Sequence, residues 1–193
     1  MTRIKICGIT TPGDASAAAS AGADAIGVVF HEPSRRCVSI DTAAAIVAAL
    51  PPFVTPVGLF LDAPAAHVRA VLERVPLFHG HEDAEFCRAF GRGYMKSVAM
   101  ADGGDPSAAA RAYPDAVALL ADSHGEGEAG GTGRTFAWER VSGRRDWRLV
   151  LAGGLDPDNV TAAVRAVRPD AVDVSSGVET SPGCKDAARI QRF

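Results

Sequence analysis

Val54-Thr55-Pro56-Val57-Gly58-Leu59-Phe60 is apolar along almost its whole length. A strand with one face in water alternates polar and apolar residues. An unbroken apolar run instead marks a strand covered on both faces, as in a parallel sheet flanked by crossover helices. The same unit repeats outward in both directions. Apolar runs at 4–7, 25–30, 54–60, 77–78, 94–98, 116–121, 149–152 and 171–174 read as strands. Between and after them, largely Ala-rich amphipathic stretches at 12–21, 42–50, 63–75, 83–90, 106–112, 136–141, 158–167 and 185–193 read as helices. Asp41 and Asp156 are expected N-caps, and Pro157 suits a first helical position. Eight such pairs in 193 residues leave little room for anything else. The sequence therefore predicts an α/β fold in one domain over 1–193, a (β/α)8 TIM barrel rather than an open doubly wound sheet.

The fourth strand fits this pattern worst. Only Pro76, Leu77 and Phe78 separate the third helix from His79. A strand takes about five or six residues, and Pro76 has no N–H for the ladder. An abnormally short fourth strand is the expectation.

Twenty basic against twenty-three acidic side chains give a net charge of −3, with no Lys/Arg run suited to nucleic acid or an anionic membrane surface. The start of the chain lacks the apolar core of a signal peptide, and no apolar run is long enough to span a bilayer. Cys7, Cys37, Cys87 and Cys184 are widely spaced, without a C-x-x-C pair. They predict free thiols in a reducing cytoplasm and no metal site. A small anionic ligand remains compatible with all of this, since it needs only a local site.

In such a barrel the functional side chains sit at the C-terminal strand ends and in the loops that follow. Those positions hold Cys7, Arg35 and Arg36, Asp62, His79, Asp122, Gly153 and Gly154, and Asp173 with Ser175, Ser176 and Gly177. Gly153-Gly154 and Ser175-Ser176-Gly177 follow strands seven and eight, where small residues either make tight turns or let backbone N–H groups approach a phosphate, and two such loops at adjacent strand ends favour phosphate. Cys7 closes strand one beside Gly8, so a thiolate there could take a proton if neighbouring cations lower its pKa. The other cysteines read as small buried hydrophobes. Asp122 closes strand six, as a functional acid or as a helix cap. The Gly-rich stretch 125–134 that follows reads as a loop over a ligand or as a surface insert. Arg36 could fork onto a carboxylate, or form a solvated pair with Arg35.

Several of these segments together resemble a known family. They are Lys5-Ile6-Cys7-Gly8-Ile9-Thr10, Gly131-Thr132-Gly133 before Phe136, Leu151-Ala152-Gly153-Gly154-Leu155 and Val172-Asp173-Val174-Ser175-Ser176-Gly177-Val178-Glu179, then Pro182-Gly183 and Lys185-Asp186. In this order, and across essentially the whole chain, they resemble the phosphoribosylanthranilate isomerases of tryptophan biosynthesis. The resemblance implies an Amadori rearrangement of N-(5'-phosphoribosyl)anthranilate, without a cofactor. It implies Cys7 as general base and Asp122 as general acid. It also implies Arg36 on the anthranilate carboxylate, His79 and Asp173 in the sugar pocket, and phosphate on Gly153, Gly154, Ser175, Ser176 and Gly177. The partner is then a small phosphorylated substrate, and the enzyme a monomer or homodimer. Two departures stand out. Arg35 occupies a position where the family usually has proline, and the stretch before Phe78 is about four residues short of a normal strand. Two other functions fit the same residues less well. A non-catalytic phospho-ligand-binding barrel would leave Cys7 and Asp122 without work. The related phosphosugar isomerase of histidine biosynthesis is expected to carry an aspartate where Cys7 stands.

Overall fold

The computed structural model describes residues 1–73, 75, 77–80, 82–125 and 135–193, with the backbone alone at 77–80. Eight strands run parallel in chain order: β1 (Arg3–Ile6), β2 (Ala25–Val29), β3 (Thr55–Leu59), β4 (Leu77–Gly80), β5 (Tyr94–Ala99), β6 (Ala118–Asp122), β7 (Leu149–Leu151) and β8 (Ala171–Val174). Each pairs with the next, and β8 returns to pair with β1, so the sheet closes into a barrel. The α/β class and the curled parallel sheet follow from the apolar runs. The expected peculiarity of the fourth strand does not. β4 has four residues, as many as β1 and β8 and one more than β7. It pairs on both sides, Val57 to Leu77 and Phe78 to Tyr94. The ladder requires only that a few backbone groups meet. The strand begins directly after Pro76 and runs on through His79 and Gly80, which the apolar pattern could not include.

Helices cover the outside: α1 (Pro12–Ser20), α2 (Ile40–Ala48), α3 (Ala65–Leu72), α4 (Ala84–Arg88), α5 (Pro106–Ala112), α6 (Val160–Val167) and α7 (Ala187–Arg192). Local chemistry starts most of them. Thr11 accepts from the Asp14 N–H with Pro12 in the first turn, Asp105 accepts from Ser107, and Asp186 accepts from Ala188 and Arg189. The cap of α2 is Ser39, not Asp41, which lies in the first turn where a negative charge favours the helix dipole. Asp156 accepts the N–H groups of Asp158 and Asn159 in a turn that precedes α6. The expected helix at 136–141 is a single 3-10 turn, Trp138–Val141.

The period-two alternation of strand side chains sets the layers. Ile6, Ile26, Val28 and Val174 pack outward in a large cluster with Ala15, Ile46 and Val68 of the helices. Val57, Met95, Leu120, Val150 and Ala152 form a separate cluster inside the barrel. On β1 the inward positions are Lys5 and then Cys7 just past its end, so an apolar strand delivers polar groups to the barrel axis. After β8, the short strands β9 (Glu179–Ser181) and β10 (Cys184–Lys185) pair antiparallel and fold the chain back over the end of β1. Thr10 donates to the Gly183 carbonyl across this closure, at 2.7 Å. Among the described residues no helix is long and apolar enough to cross a membrane.

Candidate active site

Cys7 continues the β1 ladder, its N–H donating to the Val174 carbonyl at 2.7 Å, and its side chain is buried. The space for the sulfur comes from Gly27 on β2, where a Cβ would stand 2.6 Å from Sγ. One layer below, the Lys5 ammonium donates to Asp173 Oδ1 at 2.9 Å, and both groups are buried. Burial works against a charged Lys5, but Asp173 and Cys7 outweigh it and lift the lysine above its ordinary pKa. Burial pushes the Cys7 thiol up, opposed by Lys5 and Lys185 and assisted by Asp173. Burial likewise raises Asp173, against the pull of Lys5. The thiol is therefore buried, beside cations that favour its deprotonated form against the effect of burial.

Arg36 comes from the loop after β2 and crosses directly over Gly8. A Cβ at Gly8 would meet Arg36 Cδ at 2.5 Å and Ser175 Oγ at 3.0 Å, and its φ of +73° also favours glycine. The guanidinium grips Glu179 bidentately, Nε to Oε1 at 2.9 Å and Nη2 to Oε2 at 2.8 Å. Lys185 donates to the same Oε1 at 2.7 Å and to the Ser175 carbonyl at 3.1 Å. Burial would raise Glu179, but the hydrogen bonds and charges of Arg36 and Lys185 together hold it below the usual carboxylate range. Burial pulls Lys185 below the ordinary lysine value, with Glu179 opposing. The reading of Arg35 and Arg36 as a solvated surface pair is thus excluded for Arg36.

The loops after β7 and β8 interlock. A Cβ at Gly177 would overlap the Leu155 carbonyl oxygen, and one at Gly153 would stand 2.5 Å from the Ser123 backbone nitrogen. Gly153 and Gly154 both have positive φ, at +87° and +64°. Ser176–Val178 forms a short 3-10 turn, and Asn159 donates to the Gly154 carbonyl at 2.8 Å. Two small-residue loops are therefore packed against each other at one edge of the mouth.

Asp122 ends β6, which is reached from β1 through β8 and β7. Its Oδ2 lies 3.2 Å from His124 Nδ1, and Ser123 Oγ donates to Oδ1 at 3.4 Å. The opposite, N-terminal end of the barrel has a cavity of its own, bordered by Arg3, Lys5, Asp24, Met95, Arg148 and Arg168 among others. Cys7, Arg36, Asp122 and Asp173 do not line it.

A sequence model of N-(5'-phosphoribosyl)anthranilate isomerases matches residues 4–193. The chain belongs to this isomerase family. A phosphoribosylanthranilate isomerase of Pseudomonas aeruginosa is 54% identical over 195 aligned positions, covering 99% of this chain and 92% of that relative. The crystal structure of the Thermotoga maritima phosphoribosylanthranilate isomerase superposes with a TM-score of 0.87 at 40% identity, covering 100% of this chain and 97% of that one. A second isomerase structure, in complex with reduced 1-(o-carboxyphenylamino)-1-deoxyribulose 5-phosphate, gives 0.81 at 37% identity, covering 100% and 96%. A third is of monomers generated from the dimeric Thermotoga maritima isomerase, with 0.85 at 36% identity and coverage of 100% and 96%.

Within this isomerase barrel, Cys7, Arg36, Asp122, Asp173 and both glycine loops come to the C-terminal mouth. His79 lies on β4, opposite Leu59 on one side and Met95 on the other; its side chain is outside the described residues. Gly131-Thr132-Gly133 and most of the stretch 125–134 are also outside them. Asp62 follows β3 with a positive φ of +51° and joins none of these contacts. Four partners of the site escaped the sequence reading: Lys5, Gly27, Glu179 and Lys185. Lys5 had one available signal, a charge inside a strand whose alternation faces the barrel axis. Glu179 and Lys185 are joined to Arg36 across well over a hundred residues, which no local pattern encodes.

Proposed function

We propose that the C-terminal mouth catalyses the Amadori rearrangement of N-(5'-phosphoribosyl)anthranilate to 1-(2-carboxyphenylamino)-1-deoxy-D-ribulose 5-phosphate. Residues 1–193 act as one (β/α)8 TIM-barrel catalytic domain. The observation that carries this reading is the meeting at one barrel mouth of a buried thiol beside cations, a carboxyl group at the end of β6, and a guanidinium with donors to spare. In this reading Asp122 protonates the furanose ring oxygen, and the ring opens to a protonated imine. Cys7 removes the proton from C2 of the sugar, giving an enolamine that tautomerises to the ketone. The C1–O bond breaks as the nitrogen lone pair forms the imine, the ring oxygen keeps the proton from Asp122, and every other step is a proton shift, so no electron or group carrier is needed.

Arg36 holds the anthranilate carboxylate beside Cys7, and the small-residue loops at Gly153–Gly154 and Ser175–Gly177 offer backbone N–H groups to the phosphate. Asp173 and His79 line the sugar. The raised Cys7 pKa makes the thiolate a strong but sparsely populated base, so Lys5 and Lys185 increase its usable fraction. The free cysteines fit an enzyme of a reducing cytoplasm.

The test is direct. Purified protein should extinguish the fluorescence of phosphoribosylanthranilate, and its gene should rescue a tryptophan auxotroph but not a histidine auxotroph. Binding of a product analogue in calorimetry without turnover would favour a non-catalytic binder and end this reading.

A further inference from the structure

Neither Glu179 nor Lys185 gives a proton to the substrate or takes one from it in the proposed reaction, yet they are among the most buried charged side chains at the mouth, exposed by 3% and 0%. We propose that they are positioning residues for carboxylate recognition: Glu179 aims the Arg36 fork, and Lys185 cancels the charge that Glu179 brings. The inference rests on the reading of Arg36 as the carboxylate-binding group.

The geometry fixes which donors remain. Glu179 occupies Nε–H and one hydrogen of Nη2. The hydrogens left on Nη1 and Nη2 form a second fork, pointing along the guanidinium axis away from its stem. A carboxylate can lie there in the same plane. The stem itself is pinned over Gly8, so the direction of this fork is set by Glu179. Charge counting explains Lys185. Arg36 paired with Glu179 alone is neutral, and a substrate carboxylate would meet an anion just behind its partner. Adding the Lys185 ammonium, 2.7 Å from Oε1, restores one net positive charge to the cluster. That charge matches a single carboxylate. The Ser175 carbonyl holds the ammonium in place and links it to the loop after β8.

A charge-balance series tests this. Lys185→Met leaves Arg36 and Glu179 paired and neutral, and KM should rise roughly 10–100-fold, the effect of losing a charge-assisted contact. Adding Glu179→Gln to that variant removes the negative charge behind Arg36, returns the cluster to one net positive charge and keeps an acceptor for Arg36. The double variant should therefore return to within a few-fold of the wild-type KM. A purely structural role predicts the reverse, with the second substitution making KM worse. An unchanged KM in Lys185→Met, or a double variant ten-fold or more above wild type, overturns the proposal. If Lys185→Met alone fails to fold, the double variant, which carries no buried charge pair, decides by the same criterion. Wild-type protein that does not turn over phosphoribosylanthranilate would instead fault the proposed function, so the two failures are separable.

Discussion

On the side of the mouth formed by β1, β2, β7 and β8, the candidate groups are fixed by close contacts, whereas Asp122 on β6 is held more loosely. Arg36 is clamped by two bonds to Glu179 at 2.8–2.9 Å, and Cys7 fills a gap left by Gly27. The glycine loops touch backbone to backbone. Asp122 makes contacts at 3.2 and 3.4 Å with groups on its own loop, and its side chain is 15% exposed. This difference suits the proposed division of labour, with carboxylate and phosphate bound on the fixed side and the acid at Asp122. Binding a rigid carboxylate and a phosphate rewards fixed donors, because ordering them beforehand removes that cost from the binding step. An acid that must follow a ring oxygen as the ring opens is better served by some freedom.

The contrast can be broken from either side. The largest effect is expected at the looser one. Asp122→Asn keeps the shape and removes the proton donor, so kcat should fall roughly 10²–10⁴-fold with an unchanged melting temperature. Steady-state kinetics beside a thermal melt check both. On the fixed side, Gly177→Ala drives a methyl group into the Leu155 carbonyl. It should cost about 1–3 kcal/mol of stability and raise KM more than it lowers kcat, read by denaturant unfolding and kinetics. A smaller effect should appear in acid. Glu179 has a lowered folded pKa, so its contribution to stability is present above the unfolded carboxylate value and is lost as pH falls through the folded one. Melting temperature followed downward from pH 5 should therefore drop more steeply in wild type than in Glu179→Gln.

How far the sequence reached follows the same division. The placement of Cys7, Asp122, Gly153 and Gly177 at the mouth was legible because each ends or follows an apolar run, and the barrel topology brings all such ends together. The closed order of the strands was legible for the same reason. The fixing of Arg36 was not, because Glu179 and Lys185 reach it only through the fold-back of β9 and β10. The length of the fourth strand misled for a related reason. Apolarity marks a strand only where both faces are covered, and β4 continues through His79 and Gly80, which carry no such mark. Ser39 in place of Asp41 shows that a cap is chosen by where the first turn closes, which composition leaves open by a residue or two.

The most direct test of the account is the loss of phosphoribosylanthranilate fluorescence catalysed by Cys7→Ser beside wild type at matched melting temperature. Serine preserves the size of the side chain but has no accessible anionic form near neutral pH, so turnover should fall by roughly 10²-fold or more. Turnover by Cys7→Ser near the wild-type rate would contradict the claim that the buried thiol is the base.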